Sequence, residues 1–301
     1  MDHDEELIDI DIFHRGDRMA HITVLEAEKL LDQEIPVLDK GFVRLVDYMG
    51  GDSRIVQTAR VSYGEGTKTV RQDAGLIDYL LRHEHTSPFE HVIFELHCKM
   101  PIFVARQWVR HRTARLNEIS GRYSVMKDEF YLPPREQISL QSIDNKQGRN
   151  KESVPVELQD KVLELLKKDQ SASYANYTEI LNDGIARELA RINLPLSMYT
   201  EWYWQMDLKN MLHFLKLRMD SHAQWEIQEY ARAIAKIVKT VCPMAYESFE
   251  RHILHGAKLS SDEIAAVQCL IAGKPNPLEG RRLAEFNDKL NRVSALQKPA
   301  E

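Results

Sequence analysis

The chain predicts an α+β protein, with a mainly antiparallel sheet packed with helices. Three observations carry that expectation. Residues 91–100 alternate cleanly, with Val92, Phe94, Leu96, Cys98 and Met100 on one face and His91, Glu95, His97 and Lys99 among the other. That is the pattern of a half-buried strand. Residues 69–83 instead repeat apolar side chains at helical spacing, through Ala74, Ile77, Leu80 and Leu81. The strand-like runs are not neighbours in the chain, because helical stretches separate them.

Taken in order, residues 1–40 read as an acidic arm with a short helix over 24–32. Residues 42–48 alternate and form a strand. Asp52-Ser53 can cap a helix running to about residue 62. Ser87-Pro88 marks a turn between helix and strand. Pro101 suits the first turn of a helix to about residue 112. On that helix Gln107, Arg110 and His111 share a polar face, while Val104 and Trp108 make an apolar stripe. Residues 117–124 have little helical character; if extended, they point Glu118, Ser120, Arg122 and Ser124 to one side. Residues 142–153 are polar and irregular, a surface loop, and 156–181 form a long amphipathic helix. Residues 198–206 are aromatic-rich and strand-like. Asp207 caps a helix through residue 219, and a further helix over 224–241 is stopped by Pro243. The expected division is an acidic arm (1–40), a catalytic domain (41–255) and a C-terminal helical tail (256–301).

Composition narrows the function. A net charge of -6 weighs against a nucleic-acid binder, which carries a basic excess. Cys98, Cys242 and Cys269 are far apart and odd in number, which fits a reducing compartment. The acidic start lacks the basic flank and apolar stretch of a signal peptide. No run approaches ~18 apolar residues, so no membrane span is expected. The expectation is a cytoplasmic protein.

Against that acidic background, residues 110–124 concentrate Arg110, Arg112, Arg115 and Arg122 around Glu118, Ser120 and Ser124. These are the group types that a phosphorylated sugar needs: guanidinium for phosphate, hydroxyl and backbone N–H for the remaining oxygens, carboxylate for a hydroxyl or ring N–H. A basic nucleic-acid surface, or a structural ion-pair network of Arg110 and Arg112 with Glu90, Glu95 or Glu118, would use the same residues. A second cluster, His83 to His91, holds three histidines in a spacing that suits no metal site, so no metal is expected. In a third cluster, Arg218 and His222 share a helix face with Met211 and Phe214.

At these three clusters the chain closely resembles the flavin-dependent thymidylate synthases. Their signature of Arg-His-Arg, seven residues, then Ser is met by Arg110-His111-Arg112 and Ser120. Around it stand His85-Thr86-Ser87-Pro88-Phe89-Glu90-His91, Tyr123, and Arg218 with Ser221-His222-Ala223-Gln224-Trp225-Glu226. The match runs from about residue 42 to 246.

The resemblance implies an α+β subunit in a homotetramer with shared active sites. It implies reductive methylation of dUMP to dTMP, with methylenetetrahydrofolate as carbon donor, FAD as hydride carrier and NADPH as reductant. Gln107, Arg110, Glu118, Ile119, Ser120, Gly121 and Arg122 are similar to the family's dUMP contacts, and Arg191 to a further one from another subunit. Ser87, Glu90, Arg110, His111, Arg112, Asn117, Glu118, Asp207, Lys209, His213 and His222 stand at its FAD positions. The resemblance makes Arg218 the group that activates the pyrimidine, and places His85 near flavin and folate. Ser120 is a candidate catalyst, but with no adjacent base a hydrogen-bonding role toward dUMP is favoured. No cysteine falls in the polar clusters, so no cysteine nucleophile is expected. The chain departs from the family's usual residues at Arg115, Asp207, Lys209 and His213.

Overall fold

Alternation along the strands becomes a two-faced sheet in the computed structural model, which describes residues 22–61, 70–142 and 148–296. The first half of the chain runs α1 (Leu25–Glu28), β1 (Glu34–Val37), β2 (Gly41–Met49), α2 (Asp52–Arg60), α3 (Val70–Arg82), a 3-10 turn (Ser87–His91), β3 (Ile93–Pro101), α4 (Ile102–Trp108) and β4 (Arg115–Glu118). A hairpin, β5 (Ser139–Gln141) and β6 (Arg149–Ser153), leads to α5 (Val156–Asn182) and α6 (Arg187–Ala190). Then come β7 (Tyr199–Asp207), α7 (Leu208–Arg218), α8 (Trp225–Val241), α9 (Pro243–Phe249), α10 (Ser261–Ile271) and α11 (Gly280–Leu296). The main sheet has the order β1-β2-β3-β7-β4, with every neighbouring pair antiparallel. The α+β expectation is borne out.

On the inner face, Phe94, Leu96, Cys98 and Met100 of β3 are fully buried. Their register sets Leu96 against Trp204 and Cys98 against Trp202. Burial also pushes the Cys98 thiol far above its ordinary range, as expected of a packed cysteine rather than a nucleophile. Helix α8 lays Ile227, Tyr230, Ala231, Ile234 and Val238 over this face, and α7 adds Met211, Phe214 and Leu215. Trp108, at the end of α4, sits between them. Its ring meets Trp202 at 5.4 Å, Trp204 at 5.3 Å, Phe214 at 5.2 Å and Tyr230 at 5.7 Å. A buried aromatic of this size contributes several kcal/mol, on the order of the ~3–5 lost when Trp or Phe is cut to Ala.

Several expectations are corrected. The first helix is one turn only, because Asp32 adopts φ 58 and the chain turns into β1. Gly51, not Asp52, stands at the N-cap of α2. The Asp52 carboxylate serves another helix, accepting from the amides of Met244 at 2.7 Å and Ala245 at 3.0 Å. Part of the polar stretch over 142–153 is the strand β6, paired with β5. Pro243 does not merely stop α8; it occupies the first turn of α9, where its missing N–H costs nothing. Helix α4 ends at Trp108 rather than near residue 112. Expected structure over 1–21, 62–69, 143–147 and 297–301 lies outside the described residues.

Asp52 ties α2 to α9 through two amides that would otherwise lack partners. Asp52→Ala should lower the unfolding free energy by about 1–2 kcal/mol. Asp52→Asn, which keeps an acceptor, should lose less; chemical denaturation of the three proteins measures the order.

Candidate active site

Helix α4 runs out of regular hydrogen bonds just where the polar cluster begins. In a continuing helix the Gln107 carbonyl would accept from the His111 amide. Instead the His111 amide donates to the Trp108 carbonyl at 3.0 Å, and the Gln107 carbonyl accepts from Arg218 Nη2 at 3.1 Å. Arg218 Nε donates to His111 Nε2 at 3.0 Å. The guanidinium thus takes the place of the next helical turn and is held in a fixed plane. Its Nη1 group has no described partner.

That geometry requires a neutral His111. Burial first, then the charges of Arg218 and His213, lower its pKa to about 4. Its Nε2 therefore accepts, and the proton of the neutral ring sits on Nδ1. The ring is boxed by Phe214 at 4.9 Å and lies 6.2 Å from that of His213. Burial also lowers the pKa of Arg218, though not enough to discharge a guanidinium. The Gln107 side chain donates to Gln224 Oε1 just before α8, so a third bond joins the first and third clusters.

The second cluster meets the other end of α7. Lys209 Nζ pairs with Glu90 Oε1 at 2.9 Å, and that pair raises the lysine's pKa. From Lys209 to Arg218 is about 14 Å along the helix axis. Helix α7 therefore spans the distance between the 3-10 turn at Ser87 and the end of α4. Ahead of that turn, α3 closes with Glu84 at φ 60. The amides of Glu84 and His85 donate to Leu81 and Leu80 at 3.1 and 2.8 Å, which brings His85 back over its own helix. The rings of His83 and His85 both lie near Tyr79. Asp207 caps α7 as its sequence position predicts: its carboxylate accepts from the Asn210 amide at 2.9 Å and from the Asn210 side chain at 2.7 Å. His222 Nδ1 lies 2.7 Å from Asp220 Oδ1.

The ion-pair network considered for Arg110 and Arg112 is absent among the described residues, because its carboxylates are committed elsewhere. Glu90 holds Lys209, Glu95 accepts from Gln205 at 2.8 Å, and Glu118 accepts from the Thr200 hydroxyl at 2.6 Å. Arg110, Arg112 and Arg115 are exposed.

A second group of predicted residues forms separately. Glu118 ends β4, whose four residues are all exposed. Residues 120–124 do not continue as a strand. The Ser120 carbonyl accepts from the amides of Tyr123 and Ser124, both at 3.0 Å, and Ser120 Oγ accepts from Arg122 N at 3.3 Å. The row of Glu118, Ser120, Arg122 and Ser124 on one side is thus replaced by a turn. Gly121 is buried there, and a Cβ on it would lie 3.0 Å from Arg191 Cδ. Arg191, Gly121 and Ser120 therefore assemble within one chain, and no described hydrogen bond or ion pair joins them to Arg218. Asn117 and Ile119 are exposed beside them. The apolar side chains here are exposed too: Tyr123 is 76% accessible, Ile192 77% and Leu196 61%.

Sequence reasoning missed Thr200 and Arg187 and gave Gln224 no role. The first two carried no motif, and Gln224 lay unremarked inside one. A cavity of about 440 Å³ on the outer sheet face, lined by Arg44, His97, Lys99 and Glu201 among others, contains none of the predicted site residues.

The family model described as "Thymidylate synthase complementing protein" matches residues 44–244, and "Thymidylate synthase ThyX C-terminal domain" matches 257–296. A relative in Treponema denticola named flavin-dependent thymidylate synthase is 64% identical over 260 residues, covering 86% of this chain and 98% of its own. One of the same name in Thermus thermophilus is 60% identical over 237 residues, covering 79% and 86%. Among solved structures, a UMP/dUMP methylase from Streptomyces cacaoi bound with 5-Br dUMP superposes with a TM-score of 0.67 at 30% identity, over 73% of this chain and 99% of that one.

The lowered pKa of His111 has a consequence for stability. Between about pH 6.5 and 4 the unfolded chain takes up a proton that the folded one refuses, so this histidine makes stability fall as pH falls through that window. His111→Gln keeps polarity without titrating. Calorimetric melting from pH 7 to pH 4 should show a shallower decline for this variant than for the parent. Identical slopes would contradict the assignment.

Proposed function

The chain belongs to the flavin-dependent thymidylate synthase family, and we propose that it methylates dUMP to dTMP with methylenetetrahydrofolate, FAD and NADPH. The observation that carries the reading is the double tether of Arg218 to His111 and to the Gln107 carbonyl. An arginine desolvated, held in plane and left with free N–H groups is suited to an anion that develops during reaction.

The residues fit a flavin dinucleotide. Arg110 and Arg112 are exposed cations without a described carboxylate partner, as a diphosphate requires. With Ser87, Glu90, His111, Asn117, Glu118, Lys209, His213 and His222 they would hold FAD. The Asp207 carboxylate is already engaged in its cap, so any contact from that residue would fall to its backbone. The chemistry expected of FAD there is delivery of a hydride to the one-carbon unit, after reduction by NADPH.

In this reading the chain's own residues bind, orient and polarise. Ser120, Gly121, Arg122 and Arg191 take the nucleotide phosphate, with Glu118 and Ile119 beside it. Gln107, Arg110 and Arg218 take the base end. Arg218 stabilises negative charge on the pyrimidine and so makes its carbon five nucleophilic; one aimed donor is worth on the order of ~3 kcal/mol in the transition state. No cysteine is needed: Cys98 and Cys242 are both buried in the core. His85 would position the folate. The two groups of dUMP residues are separate in one chain. A homotetramer that seats the turn of one subunit against the α4 end of another would complete the pocket and cover Tyr123, Ile192 and Leu196.

The purified protein should be yellow, or turn so on adding FAD, and should convert dUMP to dTMP only with methylenetetrahydrofolate and NADPH present. Absence of both flavin binding and turnover overturns the proposal. Arg218→Ala should lower turnover by about a hundredfold. Ser120→Ala should weaken dUMP binding yet leave turnover at saturation; lost turnover with dUMP affinity intact would instead make Ser120 a nucleophile.

A further inference from the structure

Helix α6 is four residues long, yet it addresses the Ser120 turn residue by residue. Arg187 Nη1 donates to the Tyr123 carbonyl at 2.8 Å. Glu188 Oε2 lies 3.5 Å from Arg122 Nε. Arg191 packs its Cδ over Gly121. Arg187 and Glu188 of α6, and Arg191 immediately after it, thus meet Tyr123, Arg122 and Gly121 in reverse order. The helix itself is anchored by Ala190, which is buried with Met126, Phe130, Tyr177 and Met198 in a second small core.

The turn is pinned at both ends as well. Upstream, the Ile119 amide donates to the Glu201 carbonyl of β7 at 2.9 Å. Downstream, the Met126 amide donates to Tyr177 Oη and its carbonyl accepts from Tyr174 Oη, both at 3.0 Å. Between these pins the turn is closed by its own bonds to the Ser120 carbonyl, and Arg187 and Glu188 of α6 add the contacts that tie it to the rest of the chain. Among the described residues the amides of Ser120 and Gly121 have no described acceptor, so two N–H groups and a hydroxyl stand on consecutive positions of the turn. Successive free amides of this kind suit a phosphate, provided the loop holds its shape before the ligand arrives.

We propose that α6 is a clip that presets this turn, and that Arg187 is its chief positioning residue. Its bond is charge-assisted and falls on a backbone carbonyl, so it fixes the loop rather than a side chain. The exposed Glu188–Arg122 pair is worth little by itself. Arg187 acts through the turn and touches no substrate. The proposal rests on the reading that this turn receives the phosphate of dUMP.

The test is titration calorimetry of the flavin-loaded protein with dUMP and with deoxyuridine, which lacks the phosphate. Arg187→Ala should raise the Kd for dUMP about tenfold. It should leave the deoxyuridine Kd and the turnover at saturating dUMP unchanged. Arg187→Lys, which can still donate to the carbonyl, should recover part of the loss; it also serves if the alanine variant melts early. If the parent prefers dUMP and Arg187→Ala keeps that preference in full, the clip is wrong while the phosphate reading stands. An equal loss for both ligands also overturns it. Should the parent bind the two ligands alike, the phosphate reading fails and takes the clip down with it.

Discussion

The α4 end of the candidate site is positioned from Trp108. The indole is wedged among Trp202 and Trp204 of β7, Phe214 of α7 and Tyr230 of α8. Those four contacts hold the end of α4 against the sheet, α7 and α8. The buried indole nitrogens of Trp108 and Trp202 have no described hydrogen-bond partner. An unsatisfied N–H is costly, so shape complementarity outweighs polar satisfaction at this point. The polar residues immediately after Trp108 inherit that rigidity, as a preorganised site requires.

Charge is handled by separation. The molecule is acidic overall, but its carboxylates are kept from Arg110 and Arg112: Glu90 by Lys209, Glu95 by Gln205, Glu118 by Thr200. The cations remain available to an anionic ligand. The neutrality of His111 belongs to the same economy. A protonated ring beside Arg218 would set two like charges together and remove the acceptor that orients the guanidinium. Holding that histidine uncharged is therefore a condition of the site's geometry.

The legible parts of the chain were those with a period or a signature. β3 declared itself by alternation, α7 by its Asp207 cap, α8 by the Pro243 that follows it, and the three clusters by their ordered motifs. Illegible parts were set by contacts from afar. α4 carries helical spacing to Arg112, but Arg218 takes the carbonyl that the next turn needed. Residues 117–124 lack helical character and read as extended; Asn117 and Glu118 do end β4, but local bonds to the Ser120 carbonyl fold 120–124 into a turn. The polar stretch over 142–153 has no apolar alternation to reveal β6, because that hairpin lies outside the main sheet. Arg187 has no motif at all; its meaning comes only from the carbonyl it meets.

By itself, then, the sequence determined the α+β class, the core-facing residues of the central strands, and the membership of the polar clusters. These follow from local periodicity and residue type, which a one-dimensional pattern carries in full. Tertiary structure alone decided that Arg218 would be aimed by His111 and the Gln107 carbonyl. It also decided that Ser120, Gly121 and Arg191 would gather apart from it. Such contacts join residues about seventy to a hundred and ten positions apart. Their formation depends on how packed aromatic side chains set the distance between elements, and no spacing rule encodes that.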